Sequence, residues 1–325
     1  MEFKITSQDP FKVLSSAKTV AGSLKFVKIH EENLDRLAKI ISKKLEGGEV
    51  LEEMNFGNAG SLKDNVQLIF LEDTVNFCFW AEKDKPKWKV EWPDNSGAVD
   101  GWYALTKCFD RALTRNGPIL EAEYLENLTL DETKSLFSGN ENTEIPLLEK
   151  RMENLKEAGK VLREKYKGEF INVLKKAEYD SVKIVKLIVE DFPSFRDISK
   201  LDGKEIYFLK RAQICAQDLS YLKELKIKNV DTLTAFADYK IPQMLMKFGV
   251  ISYNPDLAKK IDDYVLVPAG SREEIEIRSA TIWCIELIKQ KLEKYSAAEI
   301  DNALWLISQS KLDVKPYHRT YSIYY

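Results

Sequence analysis

The sequence predicts a mainly α-helical protein carrying a small antiparallel β-hairpin or sheet. Three observations lead there: readable capping boxes, long segments with apolar residues at helical spacing, and one isolated stretch rich in β-branched and aromatic residues. The boxes are Thr129/Glu132, Ser271/Glu274 and Ser296/Glu299, where a hydroxyl and a glutamate three positions on satisfy free amides at a helix start. In chain order, helices are predicted over residues 32–45, 147–177, 182–189, 208–222, 242–248, 275–295 and 298–307. The segment at 242 opens on Pro242, and the last two follow the Ser271 and Ser296 boxes. Between the first two, residues 66–80 (VQLIFLEDTVNFCFW) and 88–92 (WKVEW) are joined by the polar AEKDKPK and predict the hairpin. No internal repeat or low-complexity linker interrupts the chain, and SGNENT at 138–143 reads as a loop, so one domain is expected over 1–325.

Composition narrows the chemistry. With 325 residues and 44% hydrophobic content, the chain can bury a large core. Its formal charge of −3 and pI near 5.8 argue against stable nucleic-acid binding, which needs many cations against backbone phosphates. A small anionic ligand needs only a few local lysines or arginines. The longest apolar runs fall short of 18 residues, and MEFKITSQDPFKVL lacks signal-peptide character, so a cytoplasmic protein without membrane attachment is expected. Cys78, Cys108, Cys215 and Cys284 are dispersed without a CxxC pair and read as reduced packing residues. Only two histidines are present, His30 and His318, which leaves neither a histidine relay nor a multi-histidine metal site, and no metal is expected. Chemistry, if present, falls to carboxylates.

The strongest candidate is Asp238, set among apolar residues in LTAFADYKIPQ (233–243), four positions before Pro242. A carboxylate placed there caps the next helix, pairs with Lys240 or Lys210, or stabilises a developing positive charge. In EIDNALWLI, Asp301 and Trp305 are spaced i and i+4 and share a helix face; they touch one ligand, or the indole is core and the acid sits at the rim. Lys210 and Arg211 stand at a predicted helix start, where cations oppose the helix dipole, so they either face an anion or are ordinary solvated charges. Near the end of the sequence, KPYHRTYSIYY joins His318 to an aromatic tail that should be ordered. Four of the six tryptophans, Trp80, Trp88, Trp92 and Trp102, cluster with Phe77 and Phe79, either as hairpin core or as a stacking surface bordered by Asp73 and Asn76.

Several long strings, in this order, carry a resemblance: DTVNFCFW, DGWYALTKCFDRAL, DFPSFRD, FLKRAQI, LTAFADYKIPQMLMKFGVI, EIEIRSATIWCIEL and HRTYSIYY. The chain resembles the queuosine 5′-phosphate N-glycosylase/hydrolases of queuosine salvage from about residue 51 to residue 325. The resemblance implies a fold related to helix-hairpin-helix DNA glycosylases. It further implies hydrolysis of queuosine 5′-monophosphate to queuine and ribose 5-phosphate, without metal or organic cofactor. The catalytic aspartate of the FADY motif falls on Asp238. The family's base-pocket acid and tryptophan fall on Asp301 and Trp305; the substrate pocket expected here adds Glu52, Asn76, Phe77, Phe236, Ala237 and Leu306, and the residues themselves offer Lys210, Arg211 and His318 for the phosphate. Two positions depart from the family pattern: Glu52 stands in place of a histidine, and Leu306 in place of an acid after the Leu–Trp pair. A DNA or tRNA glycosylase, or a non-catalytic nucleic-acid module, is the competing class.

Overall fold

The computed structural model describes residue 5, residues 7–47 and residues 59–325; Glu52 lies outside them. The chain is mainly helical, with three two-stranded antiparallel pairs among the described residues. It divides into two compact units, each built from separate stretches of sequence. Among the described residues no helix is long and apolar enough to cross a membrane.

The first unit comprises Met1–Asn55, Asp197–Gln217 and Lys228–Tyr321. At its centre runs the helix Arg272–Lys291, in which every residue from Glu273 to Glu286 is buried. Four other helices, Val13–Ala21, Leu34–Glu46, Lys240–Lys247 and Ala297–Gln309, pack against it. A helix covered on all sides needs no polar face, yet this one carries buried charges, and each must find a partner. Glu276 accepts the amides of Lys25 and Phe26 at 2.8 and 2.7 Å, and Glu286 accepts the Ser7 hydroxyl at 2.6 Å. Strand Val27–Ile29 pairs with Ile251–Tyr253, and Ile198–Leu201 with Lys204–Tyr207. The second pair closes through Asp202 and Gly203 at φ 51° and 78°, the two left-handed residues that a tight hairpin turn requires.

The second unit comprises Phe56–Arg196, Asp218–Ile227 and Ser322–Tyr325. Its long helix Leu148–Tyr166 packs closely on Ala122–Glu126. Gly159 permits that approach, because a Cβ there would stand 2.5 Å from the Glu126 nitrogen and 2.6 Å from the Ala122 oxygen. Phe70 stacks on Phe170 at 3.9 Å, with Phe192 and Phe195 alongside.

Local signals set the helix starts. The capping boxes at Thr129 and Ser296 are complete, whereas at Ser271 the hydroxyl caps Glu274 while the Glu274 carboxylate turns to the Gly270 amide instead. The helix expected over 147–177 is interrupted: Leu148–Tyr166 ends at Lys167 and Gly168, at φ 55° and 81°, and a separate turn Ile171–Lys176 follows. The hairpin expected from 66–80 is not formed. Its first half belongs to the helix Leu62–Thr74, capped by the Ser61 hydroxyl on the Asp64 amide. Every residue from Val66 to Thr74 is buried, so no polar face marks the helical period, and packing overrides the β-propensity of the residues. The strand pair that does form nearby is Lys89–Val90 with Val99–Asp100.

Candidate functional site

The segment Leu233–Tyr239 runs buried and without regular structure between the short 3-10 turn Val230–Thr232 and the helix Lys240–Lys247. A buried non-helical backbone must satisfy its amides and carbonyls elsewhere, and here side chains from three helices do so. Gln213 takes the Thr234 amide at 2.9 Å. Asp301 Oδ2 takes the Phe236 amide at 3.0 Å. Arg278 Nε donates to the Ala237 carbonyl at 3.0 Å. Asp238 then accepts the amides of Lys240 and Ile241 on one oxygen, Oδ1, at 2.7 and 3.0 Å. The capping alternative for Asp238 is therefore realised, and it occupies only one of the two carboxylate oxygens.

Asp238 is partly exposed within a protein-dense surround. Burial raises its carboxyl above the ordinary value, against the pull of the Lys210 ammonium, the two amides and Lys240. Asp301, 3% exposed, is raised further, first by burial and then by the negative charge of Asp238, with the Phe236 amide and Lys210 opposing. Two acids thus sense one another, and one lysine sits within electrostatic reach of both. Such a pair favours a single negative charge, and burial together with the Asp238 charge favours the neutral form of Asp301.

Lys210 and Arg211 are 5% and 1% exposed, which removes the solvated-charge reading. The Lys210 amide donates to Asp197 Oδ2 at 3.2 Å, fixing the start of the helix Lys210–Ser220. His318 is equally buried, and burial together with the Arg278 guanidinium pushes its pKa down to about 3. It is therefore neutral at physiological pH and carries no charge there. The tail around it is ordered: Thr320 bonds the Val267 carbonyl at 2.9 Å, and Tyr317 lies 4.7 Å from Tyr239.

Phe236, Ala237 and Leu306 are buried in the same unit, and Trp305 remains partly exposed on the helix bearing Asp301. Asn76 and Phe77 belong to the second unit, where Asn76 donates to Asp73 at 3.2 Å and Phe77 lies under the Arg151 guanidinium at 4.3 Å. In that unit Trp80 and Trp88 are core residues, and Trp88 donates to the Phe137 carbonyl at 3.0 Å. The four cysteines are buried thiols outside any disulfide, with those of Cys78 and Cys108 pushed up to about 12. Among the described residues no cluster of three His, Cys, Asp or Glu side chains could hold a metal ion. Two residues central to this arrangement, Asp197 and Arg278, carry no local signature and were legible only as parts of DFPSFRD and EIEIRSATIWCIEL.

A mainly helical protein whose candidate site sets a partly exposed and a buried carboxyl within electrostatic reach of one lysine has the parts that carboxylate electrostatics requires. The chain belongs to the queuosine salvage protein family, whose model matches residues 57–325. It is 34% identical over 336 residues to a Bos taurus protein named queuosine 5′-phosphate N-glycosylase/hydrolase, covering 95% of this chain and 97% of the relative. The Mus musculus protein of the same name is 33% identical over 97% of this chain and 99% of its own length. A Sphaerobacter thermophilus relative, again so named, is 39% identical over 79% of this chain and 80% of its own.

Proposed function

We propose that this protein hydrolyses the N-glycosidic bond of queuosine 5′-monophosphate, releasing queuine and ribose 5-phosphate. The observation that carries the reading is Asp238: one carboxylate oxygen is anchored to two amides, the side chain stays partly exposed, and Lys210 favours its charged form. The family relatives named for this activity support it.

Breaking the bond between ribose C1′ and the ring nitrogen leaves positive charge on the sugar and negative charge on the base. A 7-deazaguanine lacks N7 as a protonation site, so the enzyme has to stabilise both ends. Asp238 stabilises the sugar cation and orients the water that adds to C1′; that water loses a proton, and the base nitrogen that held the sugar gains one. Asp301 faces the base. With Oδ2 holding the Phe236 amide and the proton favoured on this acid, its other oxygen serves as a donor to an acceptor of the leaving base. Trp305 offers a partly exposed ring for stacking. Lys210 and Arg211 draw the 5′-phosphate, and His318 adds a neutral hydrogen bond.

A net charge of −3 favours the free nucleotide over a nucleic-acid polymer as substrate, and a cytoplasmic location fits that use. The test is chromatographic release of queuine from queuosine 5′-monophosphate, the free nucleoside and queuosine-containing tRNA in parallel. Preferential turnover of the nucleotide is expected. Turnover of the tRNA alone, or of none of the three, would reject the reading.

A further inference from the structure

Arg278 and Asp197 are 1% and 2% exposed and play no part in the reaction just described. The guanidinium grips the carboxylate with both nitrogens, Nη1 to Oδ1 at 2.8 Å and Nη2 to Oδ2 at 2.6 Å. Its third edge donates to the Ala237 carbonyl at 3.0 Å, immediately before Asp238, and its central carbon lies 3.9 Å from the centre of the Phe208 ring. Asp197 is equally committed. Its Oδ2 also accepts the Lys210 amide at 3.2 Å. Its main-chain oxygen takes the amides of Phe208 and Leu209 at 3.0 and 3.2 Å, holding Leu209 in the left-handed region at φ 51°. One planar fork therefore joins the peptide that precedes Asp238 to the peptide that carries Lys210.

Stability does not account for such an arrangement, because a buried ion pair is commonly no more stable than apolar side chains of similar volume. Geometry does. A point-charge lysine could not hold a carboxylate and a carbonyl in fixed directions together, whereas guanidinium presents rigid donors along three edges. The backbone strain at Leu209, next to Lys210, is likewise of the kind that persists where surrounding structure over-determines a position.

We propose that Arg278 and Asp197 are positioning residues for hydrolysis: by fixing the Ala237 carbonyl and the Lys210 amide, they set the approach of the Lys210 ammonium to the Asp238 carboxylate. The inference rests on the function proposed above. The charged and titratable groups acting on Asp238 include Lys210, Lys240 and Asp301; those against the pair include Glu274, 3.5 Å from Arg278, and His318.

The experiment uses the full chain and compares wild type with Arg278→Lys and with the double variant Asp197→Leu/Arg278→Met. Release of queuine is followed across pH, and the Asp238 carboxyl is titrated by ¹³C NMR. The apolar pair should fold, since it removes both charges together. It should lose about a hundredfold in kcat, the scale of an ångström's misplacement, with little change in KM. The acid limb of kcat/KM and the Asp238 titration should both move to higher pH as Lys210 loses its hold. Arg278→Lys should show the same displacement in smaller degree. A folded double variant with wild-type kcat and wild-type titration would overturn the proposal. If the double variant does not fold, Arg278→Lys decides: a wild-type profile, or loss of folding there too, assigns the pair to structure alone. Turnover by wild type tests the underlying reading separately, and the carboxyl titration reads positioning without turnover.

Discussion

Replacing Asp238 by asparagine separates its two tasks. In the structure Oδ1 accepts the amides of Lys240 and Ile241 at 2.7 and 3.0 Å, and an asparagine oxygen can accept both. The cap survives while the charge is lost. A carboxylate about 4 Å from a sugar cation, at an effective dielectric near 20, stabilises it by roughly 4 kcal/mol. At about 1.4 kcal/mol per tenfold, that corresponds to a loss on the order of a thousandfold in kcat. Alanine removes the cap as well, and should cost a further ~0.5–2 kcal/mol of stability that asparagine does not. The assay is kcat and KM on queuosine 5′-monophosphate for both variants, with thermal unfolding alongside. Equal rate losses with a lower Tm only for alanine are expected. An asparagine variant keeping more than a tenth of wild-type rate would refute the electrostatic role, and rate losses that track Tm would reduce Asp238 to a cap.

Removing the charge of Lys210, as in Lys210→Met, takes away the main influence lowering the Asp238 carboxyl, so the acid limb of kcat/KM should shift to higher pH; KM should rise more for the nucleotide than for the nucleoside, and equal effects on both would discard the phosphate role. Asp301→Asn tests the raised carboxyl. A group whose folded value lies above its unfolded value of about 3.9 destabilises the fold as pH rises through that window, so the variant's Tm should gain on wild type with rising pH and match it in acid. A constant difference in Tm would reject the assignment. Finally, EDTA or phenanthroline should leave the rate unchanged, since the proposed mechanism runs on carboxylates; loss of activity restored by a divalent metal would overturn it.

Some of this protein was readable from neighbours along the chain. Helix starts at Thr129 and Ser296 depend on groups three residues apart, and such short-range hydrogen bonds are written in the sequence. Asp238 stood out for the same reason, as an acid in an apolar run just before a helix, and its capping bonds reach only two and three residues ahead. The helix Leu62–Thr74 was not readable, because burial on every side erases the polar face by which helical period is recognised. Nor was the state of the acids and of His318. Residue types gave Asp301 as an acid and His318 as an imidazole toward the phosphate, but desolvation and charges from other elements raise the one and depress the other. Arg278 meets Asp197 across 81 positions and Ala237 across 41, and no local pattern specifies such partners. The sequence by itself determined which residues can cap, pack and ionise. Only the tertiary structure decided which of them share a buried space, and there the removal of water makes proximity, more than residue type, control charge.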